Sequence, residues 1–319
     1  MTGSKSRVLG GLFVNEQGLR AGWSVLIFLA IVVVLSALGG TLVGHFFPVE
    51  DMHVVSPDTQ IPREAAVVLG LFIATWVMSK IEKRPVLSYG LTDSRRVRRF
   101  FLGLAVGLLS ISALVGALWT THLLVFDGRV LSGAAIWKYA ALWAALDLLV
   151  AFFEEGLFRG YLLYTLTRGL NFWWAALIMS ILFGAVHGHN AGESPLGLIT
   201  AGLGGLVFCL SLWLTGSLWW AIGMHTGMNW AEAYLYGVID SGSVSQGRLL
   251  ASHPVGAPIW SGGATGPEGS VYAVIVLLVV AGGLWLVCGR NRAQWSSFPK
   301  LMHPASTRID SCVERAPRA

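Results

Sequence analysis

The sequence predicts an all-α polytopic membrane protein with about eight transmembrane helices. Three observations predict it. Of 319 residues, 55% are hydrophobic and only 12% charged, with a mean hydropathy of +0.66; soluble domains carry about 25% charged residues. Several apolar runs reach the ~20 residues needed to cross a bilayer. The Lys and Arg residues gather between those runs, as membrane topology demands.

Residues 1–21 are short, basic and polar, and read as a cytoplasmic N-terminal segment. The run at 22–47 is too long for a signal peptide and has no clear cleavage site, so it reads as the first span. A loop with Glu50, Asp51, Asp58 and three prolines leads to a short second span at 65–81. A basic stretch, 82–99, precedes the third span at 100–126. There Gly103 and Gly107 sit at the small-xxx-small spacing that lets helices approach closely. These spans make up an N-terminal helical region, 22–133.

The next element begins near Ala134 and, if helical, runs to about Arg168. That is about 50 Å, longer than a bilayer core, so it must tilt, break or start outside. Gly169-Leu170-Asn171 ends it. Further spans are expected at 172–188, 196–214 and 218–238, closing a core at 134–238. Residues 239–270 are rich in Gly, Ser and Pro and read as a long extracytoplasmic loop. The last span lies at 271–289, and 290–319 is a basic cytoplasmic tail.

With eight spans, 17 of the 22 Lys and Arg fall on the side of both termini. Only Arg63, Arg129 and Arg248 fall opposite, which places both termini in the cytoplasm. The net charge of +5 therefore reflects topology and predicts no nucleic-acid partner. Cys209, Cys288 and Cys312 are scattered and form no CxxC, so neither a disulfide framework nor a thiolate metal site is expected. No internal repeat is visible, which argues against a transporter built from inverted repeats.

Three polar groups interrupt the apolar helices. The first is Glu154-Glu155-Gly156-Leu157-Phe158-Arg159. Ionisable residues at membrane depth are functional candidates by default. Glu155 and Arg159 are four apart, on one helical face, and can pair. Glu154 points about 100° away and lacks that partner; a desolvated carboxylate suits a general base near neutral pH. The bland alternative is a structural ion pair beside a packing residue.

The second is Phe183-Gly184-Ala185-Val186-His187. Glu154 lies 17 residues before Asn171 and His187 lies 16 after it, so an antiparallel pair puts both about 25 Å from the turn. His189 reads as loop or support. The third is His225-Thr226-Gly227-Met228-Asn229. His225 and Asn229 share a face and can both donate hydrogen bonds, a pair suited to an oxyanion. One misfit stands: His225 is nine residues past Gly216 and should lie shallower than Glu154 unless that turn is inside the bilayer. Glu232 and Asp147 are further polar candidates on the same faces.

These residues form a parts list for amide hydrolysis without a covalent intermediate. They equally allow Glu154, His187 and His225 around one divalent metal such as zinc, although no HExxH motif is present. A proton relay through Glu154 and Asp147 is the transporter alternative.

The three motifs resemble those of the CPBP intramembrane protease family. That family holds CAAX prenyl endopeptidases of the Ras-converting type and bacteriocin-processing or self-immunity (Abi) proteins. The likeness covers about residues 135–238. It implies an eight-helix enzyme with an intramembrane catalytic cavity. It also implies that Glu154 and His187 activate water, that His225 and Asn229 hold the oxyanion, and that Glu155 and Arg159 support them. The substrate implied is a membrane-anchored peptide or protein, prenylated at a CAAX terminus or otherwise. The expected location is a bacterial plasma membrane. The alternative is a non-catalytic scaffold or self-immunity protein. The oligomeric state stays open.

Overall fold

The computed structural model describes residues 13–15, 18–48 and 54–289. Most of the expected N-terminal segment and the whole basic tail, 290–319, lie outside the described residues.

The chain opens with a small antiparallel pair, β1 (Val14–Asn15) and β2 (Gly18–Leu19), followed by α1 (Ala21–Phe46). A short strand, β3 (Val54–Val55), leads to α2 (Pro57–Ile81). Pro57 occupies the first turn of α2, where its missing N–H costs nothing. The helix thus starts eight residues before the hydrophobic run expected at 65. Next come α3 (Arg96–Thr120) and β4 (Leu124–Arg129). Here the structure corrects the expected span at 100–126. The helix stops at Thr120, His122 adopts a left-handed conformation (φ 59°), and β4 pairs antiparallel with a distant strand.

The long acidic-motif element is broken. It comprises α4 (Ala134–Glu155), a π-helical segment Gly156–Leu162, and α5 (Leu163–Gly169). Gly160 has φ −81° and ψ −111°, outside helical space. Such π-bulges bend helices and favour functional sites. The break resolves the excess length seen in the sequence. Asn171 caps α6 (Phe172–His187), its side chain accepting from Trp174 N at 3.0 Å. Then follow α7 (Pro195–Thr215) and α8 (Trp219–Trp230), the latter extended by a second π segment, Ala231–Tyr236.

Residues 239–270 are structured rather than an open loop. They hold β5 (Val244–Ser245), β6 (Leu250–Pro254) and the short α9 (Pro258–Ser261). β5 pairs parallel with β3, and β6 pairs with β4. These distant pairings were invisible in a Gly- and Ser-rich stretch. The final helix is α10 (Val271–Cys288).

The protein is thus an all-α polytopic membrane protein. Six helical elements among the described residues are long and apolar enough to cross a membrane: α1, α2, α3, the broken α4–α5 element, α7 and α10. α6 is apolar but shorter, and α8 is shorter still. The expected eight helical segments occur in order, but two fall below a full crossing by length.

α8 sits at the centre, against α3, α4 and α7, and residues 220–227 are all buried. Glycines set its approach to α3. A Cβ on Gly103 would lie 2.1 Å from Trp220 O, and one on Gly107 2.2 Å from Met224 O. Reciprocally, a Cβ on Gly223 would lie 2.0 Å from Phe100 O, and one on Gly227 2.4 Å from Leu104 O. Two glycine pairs therefore interlock the backbones. The second pair brackets His225 in sequence, so this packing fixes the site's central helix.

Candidate active site

The π segment begins right after Glu155, so the acidic motif lies at the bend. Glu155 is fully buried. Its Oε1 accepts from Arg159 Nη1 at 3.0 Å and from His225 Nδ1 at 3.1 Å. The guanidinium of Arg159, also fully buried, lies 4.1 Å from the ring centre of Phe183 and 5.3 Å from that of Phe208. These cation–π contacts offset part of the cost of burying Nε and Nη2, which have no hydrogen-bond partner. Gly205 makes room, since a Cβ there would stand 2.5 Å from Nη2.

His225 stacks on Phe208, with ring centres 5.3 Å apart and planes tilted by 16°. Its Nε2 faces Glu154 Oε2 at 3.7 Å. One imidazole therefore spans both glutamates. Glu154 is partly exposed, yet its Oε2 is buried and has no hydrogen-bond partner among the described residues.

The depth misfit of His225 disappears here. The Gly216 turn is not at the level of Asn171. Leu218 N donates to Gly90 O at 2.8 Å, Trp219 Nε1 donates to Leu91 O at 3.0 Å, and Leu218 would touch a Cβ on Gly160. The turn reaches the helix break itself. From Leu218 to His225 is seven residues, about 10 Å, and from Gly160 back to Glu154 six, about 9 Å at helical rise.

His187 ends α6. Its Nδ1–H donates to Phe183 O at 2.7 Å, which leaves Nε2 as the acceptor of the neutral ring. Its ring packs on Phe183, centres 4.7 Å apart. Glu154, His187, His225 and Asn229 all line one cavity of about 250 Å³. Asp147 lines it too, one face of α4 carrying both acids. His189 lies exposed in the following turn and Glu232 is buried; neither lines that cavity.

The sequence did not single out Phe208, Asp240 or Glu268. Phe208 carries no polar signal in an apolar helix. Asp240 and Glu268 lie in the 239–270 stretch, and only its folding back brings them to the cavity wall. Burial, the charge of Glu268 and the charge of Glu154 push the Asp240 carboxyl up to about 8.

Among the described residues, no group of three or more His, Cys, Asp or Glu is arranged to hold a metal ion. His225 Nδ1 is already committed to Glu155.

Fold and site define the class: a multi-pass integral membrane protein with a carboxylate–imidazole site walled in by helices. Residues 136–231 match the model of the family described as type II CAAX prenyl endopeptidase Rce1-like. All three polar motifs fall inside that stretch. The match implies a protease that works in the membrane. Neither the curated proteins nor the solved structures gave a match.

Proposed function

We propose that the protein is an intramembrane endopeptidase that hydrolyses a peptide bond of a membrane-anchored substrate. Glu154 takes a proton from a water molecule as the water oxygen attacks the peptide carbonyl carbon. The Nε2 of His187, freed as an acceptor by the Phe183 carbonyl, orients that water. The Asn229 amide and the Nε2–H of a doubly protonated His225 hold the oxyanion. Glu154 then returns its proton to the leaving amine as the C–N bond breaks. Glu155 and Arg159 lock His225 in place.

The observation that carries this reading is the shared cavity. Four residues from α4, α6 and α8 face one space, and Glu154, whose Oε2 has no hydrogen-bond partner among the described residues, stands among them. By family likeness, a prenylated CAAX-type tail is one candidate substrate; an unprenylated membrane peptide is the other. On this reading both termini face the cytoplasm, as the Lys and Arg bias supports, and the membrane is a bacterial plasma membrane.

The test uses wild type and Glu154→Gln in detergent. A quenched farnesylated peptide and a plain membrane-anchored peptide are assayed with and without a chelator. Cleavage by wild type, lost by about 10²-fold or more in Glu154→Gln with an unchanged melting temperature, is expected for a general base. Equal turnover by both proteins refutes the assignment. Loss of cleavage on chelation, restored by zinc, would move Glu154, His187 and His225 to metal ligands. A phenotype that survives Glu154→Gln would favour the scaffold or self-immunity reading.

A further inference from the structure

The cavity is unusually acidic for an intramembrane space. Asp147, Glu154, Asp240 and Glu268 line it, while no Lys or Arg among the described residues does. The nearby Arg159 is committed to Glu155. The imidazoles of His187 and His225 are the remaining basic groups on the wall, and His225 is itself bound to Glu155.

Asp147 carries the second observation. It is only 3% exposed and lines the cavity, and its Oδ2 has no hydrogen-bond partner among the described residues. A buried carboxylate oxygen left without a partner is costly, so it marks a place for a donor. Asp240 and Glu268 are held beside the same space by the structured 239–270 segment. Asp240 N donates to Ser243 O at 3.0 Å, and Ser243 N donates back to Asp240 O at 2.8 Å. Ser241 N donates to Glu268 Oε1 at 2.8 Å, while the Glu268 carbonyl accepts from Thr200 Oγ1 on α7 at 2.6 Å. Burial first, and then the charges of Glu268 and Glu154, push the Asp240 carboxyl up; a bound cation would relieve the second part. Much of the remaining wall is apolar, with Trp143, Leu146 and Val150 flanking Asp147 on α4 and Ile111 and Leu114 on α3. Acid at one end and apolar wall along the side fit a long basic side chain, whose methylenes pack while its charge is met.

We propose that Asp147, Asp240 and Glu268 form a subsite for a Lys or Arg side chain of the peptide substrate. This rests on the protease reading and names the substrate it selects. Asp147 precedes Glu154 by seven residues, about 10 Å along the helix. Extended peptide covers that in about three residues. The basic residue therefore belongs about three positions from the cleaved bond.

The experiment uses full-length Glu154→Gln protein in lipid nanodiscs. Membrane-anchored fluorescent peptides, identical except for one position, carry Lys, norleucine or Glu at each of four positions on either side of the cleaved bond. Binding is read by anisotropy. Lys is expected to bind about tenfold tighter than norleucine at one such position, about 1.4 kcal/mol, and Glu weaker than both. Adding Asp147→Asn or Asp240→Asn should cut the Lys-to-norleucine ratio to about twofold. Equal binding of Lys and norleucine at every position overturns the subsite. So does a preference that survives both Asn variants, or the absence of binding by any peptide. The wild-type peptide comparison needs no folded variant beyond Glu154→Gln. Cleavage by wild type without a Lys preference overturns the subsite alone. Lys-selective binding without wild-type cleavage of any of these peptides overturns the protease reading alone.

Discussion

The Nδ1 of His225 and the Nη1 of Arg159 converge on one oxygen, Glu155 Oε1, at 3.1 and 3.0 Å. Two residues from one π-bulged helix are thereby tied to the helix at the centre of the bundle. The arrangement gives Glu155 and Arg159 a positioning task and leaves Glu154 beside them, facing the cavity. It predicts how these neighbours respond to substitution.

Arg159→Ala should strip Glu155 of its partner in a fully buried site. Removing one member of a buried pair costs about 3–5 kcal/mol. We expect a large drop in thermal stability in detergent, and a smaller one for the double variant Arg159→Met/Glu155→Gln. A double variant no more stable than Arg159→Ala would show that the pair is not the source of the loss.

Asn229→Ala should leave the fold intact, because Asn229 lines the cavity rather than the packed core. Loss of one oxyanion donor costs about 10²–10³ in turnover. The expected result is a fall in kcat with KM within about twofold. A change confined to KM would make Asn229 a substrate-binding group instead.

Gly223→Ala should disturb the site without touching it. Its new Cβ would meet Phe100 O at 2.0 Å, so α3 and α8 must part. Overpacking of this kind costs about 1–3 kcal/mol. Gly116→Ala, on the partner helix α3 with nothing within 4 Å, is the control and should be neutral or slightly stabilising. Equal melting temperatures for the two variants would refute the interlocked glycine packing.

Asp240 gives a pH signature. Its carboxyl titrates near 8 in the folded protein because of burial and the charges of Glu268 and Glu154, with His225 pulling the other way; the ordinary aspartate value is about 3.9. The folded state thus holds the proton more tightly than the unfolded chain. Stability attached to this group is present at low pH, declines as pH rises from about 4, and is fully lost above about 8. Asp240→Asn cannot ionise, so its melting temperature should fall less than that of wild type between pH 5 and 9. Parallel curves would show that Asp240 does not titrate in this window.

Much of the protein was legible in its sequence. Bilayer thickness imposes a length on every apolar run, so the order of helices could be read from hydropathy alone. The three motifs were legible because a charged or polar group inside such a run needs a partner or a task. The Glu155–Arg159 pair follows from helical spacing alone. The small-xxx-small spacing of Gly103 and Gly107 marked a close approach, although not which helix would approach.

Tertiary structure decided the rest. Glycine at 160 allowed a break without announcing it, and the break sets the bend on which Glu154 and Glu155 sit. The depth of the Gly216 turn depends on its contacts with Gly90 and Leu91, more than 100 residues away, which no local period records. The same holds for β4 with β6 and β3 with β5. Those pairings fold the Gly- and Ser-rich stretch back, carry Asp240 and Glu268 to the cavity, and give the site its acidic wall. Local sequence fixes what each helix can offer; only long-range packing brings those offers to one point.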